Sequence, residues 1–112
     1  MELNEFARRA QETACYPKLE DSIMGLLYTA LGLAGEAGEC ANKVKKVMRD
    51  HNGILTVDLT NAIADEIGDT LWYVAAMAEE VGISLETIAQ QNLAKLQSRK
   101  RRLAIQGDGD DR

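Results

Sequence analysis

The chain holds 112 residues, 46% of them hydrophobic, with a formal charge of −5 at pH 7. That length suits one domain with a real core, near the size at which a second copy adds useful burial. The negative balance argues against broad binding to nucleic acid or anionic membranes. A single proline, few aromatics and prominent Ala, Leu, Glu and Lys favour an all-α fold over a sheet.

Leu3, Phe6, Ala7 and Ala10 recur at helical spacing and predict a first helix that ends near Tyr16-Pro17, because proline disfavours helix at the residue before it. Leu19 to Ser22 reads as a connection, with Asp21 or Ser22 as the cap of a long second helix. The stripe Ile23, Leu27, Ala30, Ala34, Ala37, Ala41, Val44, Met48 carries that helix to the turn signal Asp50-His51-Asn52-Gly53. A third helix places Leu59, Ile63, Ile67, Thr70, Val74, Met77 and Val81 on one face and stops at Gly82. Ser84 caps a fourth, with Leu85, Ile88, Ala89, Leu93 and Leu96, which runs into Arg99-Lys100-Arg101-Arg102. Residues 1–105 are expected to form one domain. Residues 106–112 offer no apolar side chain to bury and are expected to be a disordered acidic tail.

Two acidic doublets stand out, Glu36-x-x-Glu39 and Glu66-x-x-Asp69, each inside a helical pattern. Carboxylates three apart lie one turn from each other, so two such helices side by side offer a grip for a hard cation. The simpler reading of Glu36 and Glu39 is a solvated face, nearly opposite the apolar stripe, with Glu39 and Lys43 as an i,i+4 ion pair. That face also carries Gly25, Gly32 and Tyr28. Glycine costs about 1 kcal/mol in a helix interior, so something should approach there closely. Glu66 falls within about 20° of Leu59 and Met77 on a helical wheel, at the edge of the third helix's apolar face, and a carboxylate there needs a basic partner or a cation.

The basic residues cluster at Lys43 to Arg49 and Lys95 to Arg102. Asn92, Lys95 and Arg99 share one stripe, either a phosphate contact or the ordinary solvated face of a terminal helix. His51 is the only histidine and sits in a turn signal, which removes Glu-x-x-His di-iron, zinc-hydrolase and Ser-His chemistry. The glycines match no P-loop or dinucleotide fingerprint. Cys15 and Cys40 have no zinc or redox spacing and read as reduced thiols. No apolar run approaches the ~18 residues of a membrane span, and the acidic N-terminus is unlike a signal peptide, so the expected location is cytoplasmic.

At Gly35-Glu36-Ala37-Gly38-Glu39 and Asp65-Glu66-Ile67-Gly68-Asp69 the chain resembles the MazG-like nucleoside triphosphate pyrophosphohydrolases, and the likeness extends to Leu71-Trp72-Tyr73 and to Asn92-x-x-Lys95-Leu96-x-x-Arg99. The resemblance implies an all-α fold whose protomers pair into a helical bundle, as a homodimer or homotetramer. It implies Mg²⁺, with Mn²⁺ as the alternative ion, held by Glu36, Glu39, Glu66 and Asp69, with Glu39 accepting the proton of the attacking water. The implied reaction is hydrolysis of a (deoxy)nucleoside triphosphate at the α,β bond to a monophosphate and pyrophosphate, in nucleotide-pool house-cleaning. Lys43, Lys46, Asn92, Lys95 and Arg99 are the implied phosphate contacts and Tyr73 a pocket residue. The choice of base-enclosing aromatic among Phe6, Tyr16, Tyr28 and Trp72 stays open. The rival reading is a non-enzymatic helical dimer that serves as an interaction module.

Overall fold

A computed structural model describes residues 1–18, 20–103 and 106–110. Leu19 of the expected connection, the domain boundary at 104–105 and the last two residues of the expected tail lie outside the described residues. Four α-helices follow one another: α1 (Leu3–Gln11), α2 (Met24–Asp50), α3 (Val57–Val81) and α4 (Leu85–Arg101). The described residues contain no strand, as the all-α reading expects. None of their helices is long and apolar enough to cross a membrane.

The helix ends follow local chemistry. Thr56 caps α3 by accepting the Leu59 N–H at 3.2 Å, and Ser84 caps α4 by accepting that of Thr87 at 3.1 Å. Gly82 closes α3 in the left-handed region at φ 71°. There its N–H reaches the Glu79 carbonyl and the N–H of Ile83 reaches that of Ala78. Two expectations are corrected. α1 stops at Gln11, well short of Tyr16-Pro17, because the Thr13 hydroxyl donates to the Ala10 carbonyl at 2.7 Å and the backbone tightens into turns. At the start of α2 the N-cap position is Ile23, which makes no side-chain cap bond; the Ser22 hydroxyl accepts the Met24 N–H at 3.3 Å.

α2 and α3 form a long antiparallel pair. α1 crosses α3 and α4 to make a small core of Ala10, Ala75, Ala78 and Leu85, bordered by Phe6, Trp72, Val74 and Ile88. Among the described residues the backbones of α2 and α4 stay apart, although Leu33 of α2 and Ile88 of α4 line one apolar cavity with residues of α3. The result is open: the radius of gyration is 17.0 Å, against about 13 Å for a compact chain of this length.

The face of α2 that meets α3 is not the apolar stripe. Gly25, Thr29 and Val47 are buried there and Gly32, Glu36, Cys40 and Lys43 half-buried, whereas Leu27, Val44 and Met48 of the stripe stay exposed, Met48 by 71%. The reason lies in α3. Glu80 fills the space beside Gly25 and the Tyr73 ring fills the space beside Gly32, so a β-carbon at either glycine would collide with them. Gly25 and Gly32 are seven apart, as are Tyr73 and Glu80, and this two-point register seats the helices closely along the polar face. Thr29, fully buried between the glycines, returns its hydroxyl proton to the Gly25 and Leu26 carbonyls at 3.0 and 3.1 Å.

Candidate metal centre

One turn beyond Gly32 on α2 stands Glu36, and one turn before Tyr73 on α3 stands Asp69. The same register therefore brings the two carboxylates opposite each other. Glu36, Glu66 and Asp69 each offer an oxygen, and the three oxygens lie within 4.8 Å of one another. Glu39 is exposed and stands outside this group of three. Burial, reinforced by the charges of Asp69, Glu66 and Glu39, pushes the Glu36 carboxyl above the usual range.

The surroundings are sparse in compensating charge. Lys43 Nζ lies 3.6 Å from Glu66 Oε1, so this lysine bridges the helices rather than pairing with Glu39 one turn back. Beneath them Thr70 donates to the Glu66 carbonyl at 2.8 Å; with that proton committed, the Cys40 thiol 3.6 Å away is the donor toward Thr70. Three clustered carboxylates against one ammonium form an oxygen donor set that fits a hard divalent cation.

A cavity of about 350 Å³ opens beside the carboxylates, lined by Thr13, Glu36, Asp69, Trp72 and Tyr73. The two aromatics of its wall, Trp72 and Tyr73, belong to a larger connected group. Trp72 and Tyr73 meet edge-on at 4.9 Å, Tyr73 approaches Tyr28 at 6.5 Å, and Tyr28 stacks on Tyr16 at 5.2 Å. Burial and a hydrogen bond with Tyr28 hold the Tyr73 phenol above its ordinary value. Tyr16 is pinned in turn. Its hydroxyl donates to Glu80 at 2.6 Å, Lys18 Nζ reaches the same carboxylate at 3.1 Å, and that ammonium lies 4.9 Å from the centre of the Tyr16 ring.

The basic stripe of α4 lies elsewhere in the chain. Arg99 is 3% exposed; its Nη2 donates to the backbone and side-chain oxygens of Asp110 at 2.8 and 3.1 Å, and its buried Nε takes no partner. Lys95 reaches the same Asp110 carboxylate at 3.1 Å, while Asn92 is exposed. Lys46 is exposed on α2. Sequence reasoning did not find the Tyr16–Glu80–Lys18 latch or the bond from Trp72 to Thr13, since Thr13 and Tyr16 sit between helices where no periodicity speaks. The matched seven-residue spacings of Gly25/Gly32 and Tyr73/Glu80 were the available signal.

Comparison with known proteins agrees with this arrangement. The MazG nucleotide pyrophosphohydrolase domain matches residues 25–104. Over the full length of both proteins the chain is 48% identical, across 114 aligned positions, to the Gene 37 protein of Mycobacterium phage L5. No solved structure matches. With both acidic helices, the register that joins them and the basic stripe all inside the matched span, the chain belongs to the MazG nucleotide pyrophosphohydrolase domain family.

Proposed function

We propose that the protein hydrolyses (deoxy)nucleoside triphosphates between the α and β phosphates, releasing a nucleoside monophosphate and pyrophosphate. The observation that carries this is the convergence of Glu36, Glu66 and Asp69 within 4.8 Å beside an aromatic-walled cavity, in a chain of this family. Glu36, Glu66 and Asp69 would hold Mg²⁺ or Mn²⁺. When bound, such an ion neutralises phosphate oxygens and polarises the attacking water.

The chain's own residues do the rest. Glu39, on the next turn of α2 and outside the group of three, takes the water's proton and with the others frames the metal site. Lys43 and Lys46 supply positive charge along α2, and Tyr73 walls the pocket. Because the backbones of α2 and α4 stay apart and no α4 residue lines the carboxylate cavity, we assign Asn92, Lys95 and Arg99 to the triphosphate of a site completed by a second copy, in a homodimer or homotetramer. The uncovered apolar stripe of α2 supports that assembly. We take residues 1–105 as the catalytic domain, working in the cytoplasm to clear unwanted nucleotides.

The test is pyrophosphate release from a panel of standard and modified nucleoside triphosphates, with Mg²⁺ and after its chelation. Turnover that requires the cation supports the reading. An assembled protein that binds no nucleotide and releases no pyrophosphate would establish the interaction module instead.

A further inference from the structure

Trp72 is the only tryptophan in the chain, and it stands between two cavities. On one side is the cavity that holds Glu36 and Asp69. On the other is a cavity of about 420 Å³ lined by Met1, Phe6 and Ala10 together with Arg9 and Glu12. Thr13 lines both as well. The two side chains are joined: Trp72 Nε1 donates to Thr13 Oγ1 at 2.8 Å, although the residues are 59 positions apart.

The polarity of that bond is fixed from below. The Thr13 hydroxyl has one proton, and it goes to the Ala10 carbonyl at 2.7 Å. Its lone pairs therefore remain for the indole N–H. Tyr73 contacts Trp72 edge-on from one neighbouring position and Tyr16 from another, at 4.9 Å and 6.3 Å. The indole is thus held at its nitrogen and against two rings while one part of it borders the core; Trp72 keeps the rest of its surface open.

The other aromatics are less suited to face a ligand here. Tyr16 is buried with its hydroxyl committed to Glu80, and Phe6 lines the second cavity but not the one that holds the carboxylates. Tyr28 does not line the carboxylate cavity. A base on a nucleotide whose phosphates approach Glu36 and Asp69 would enter a cavity walled by Trp72 and Tyr73, and of these two Tyr73 has its hydroxyl engaged with Tyr28.

We propose that Trp72 is the wall against which the nucleobase lies, and that Thr13 is a positioning residue that sets the indole's orientation through its hydroxyl. This rests on the nucleotide pyrophosphohydrolase reading above. A base is recognised by stacking, which tolerates any π-face but demands a ring held at a defined angle. Thr13 supplies that angle without touching the substrate's phosphates.

Thr13→Val keeps the shape and removes the acceptor. It should raise KM about five- to tenfold, the value of one net hydrogen bond, with kcat within about twofold. The Trp72 emission should shift and its quenching by a non-hydrolysable nucleoside triphosphate weaken in parallel. Thr13→Ser, which keeps the hydroxyl, should restore both. Trp72→Phe keeps a ring and loses the N–H, so it should match Thr13→Val in KM, and the double variant should add no further loss. Wild-type KM and emission in Thr13→Val, or equal losses in the Val and Ser variants, would overturn the proposal. Wild-type protein that quenches with nucleotide but never turns it over would sink the hydrolase reading alone, since the emission test of Thr13 stands without catalysis.

Discussion

Tyr73 occupies the space that a β-carbon on Gly32 would need, and this one contact sets the spacing of α2 and α3 one turn from the carboxylates. Gly32→Ala should gain about 1 kcal/mol of intrinsic helix propensity and yet displace the ring. The expected outcome is a protein at least as helical by circular dichroism whose Mg²⁺-dependent turnover falls by tenfold or more, because Glu36 and Asp69 lose their register. Unchanged turnover would show that the ring moves aside without consequence.

Glu66→Gln separates charge from shape at the metal site. In the metal-free protein it removes one of the like charges that push Glu36 upward, so the fold should be as stable as wild type. Wild-type protein with Mg²⁺ at a hundred times its Kd should gain about 2.7 kcal/mol, about 10–20 °C in Tm for a chain of this size. The variant should lose most of that gain together with turnover. A full Mg²⁺-induced shift in Glu66→Gln would remove the residue from the ligand set.

The latch between the inter-helix segment and α3 predicts a pH response. The Tyr16 hydroxyl, with Lys18 assisting, holds Glu80 below the usual carboxylate range. Burial works against the Lys18 charge, but its bonds to Glu80 and Tyr16 outweigh that and raise it overall. A depressed acid contributes stability above its unfolded value, about 4.3 for glutamate, and loses it as pH falls through the folded value. The lysine's contribution is present below about 10.4 and fades as pH rises through its raised folded value. Thermal melts should therefore weaken on the acid side below about pH 4.3, and Glu80→Gln should flatten that limb. An identical acid limb in the variant would exclude the latch as its source.

Asp110 presents a carboxylate to the two cations proposed to receive phosphate. Lys95 and then Arg99 hold that carboxyl below its ordinary value, yet Asp110 is exposed, so the contact is no stronger than a weak surface ion pair. Asp110→Ala should accordingly lower the nucleotide KM by about two- to fivefold, most clearly at low salt. Steady-state kinetics at two ionic strengths would check this; an unchanged KM at low salt would mean that the tail and the substrate do not compete.

The legible parts of the chain were those governed by neighbours in sequence. The Asp50–Gly53 stop, the Gly82 terminator and the Ser84 cap are local events, and four helices followed from them. The acidic doublets were legible as a pattern, and the cost of Gly25 and Gly32 announced a close approach. What the pattern could not say was which side chains arrive. The packed face of α2 was hidden because apolar periodicity marks what wants covering, not what this chain itself covers, and here Tyr73 and Glu80 select the polar face. The end of α1 was misplaced because Pro17 only sets a limit, whereas Thr13 ends the helix earlier through its own side chain. The placement of α4 depends on how α1 packs against α3, a relation between residues such as Ala10 and Ala78 that are far apart in sequence.

If the assembly proposed above covers the stripe of Leu27, Leu31, Val44 and Met48 that the fold leaves in water, dose becomes a variable. Where such a surface is covered only by its like, each doubling of chain concentration adds to the free energy of the folded assembly, and Tm climbs with the logarithm of concentration. Dilute chains would be both less stable and less active per chain than concentrated ones. The protein's output would then rise faster than its amount, giving a threshold set by mass action with no effector and no modification.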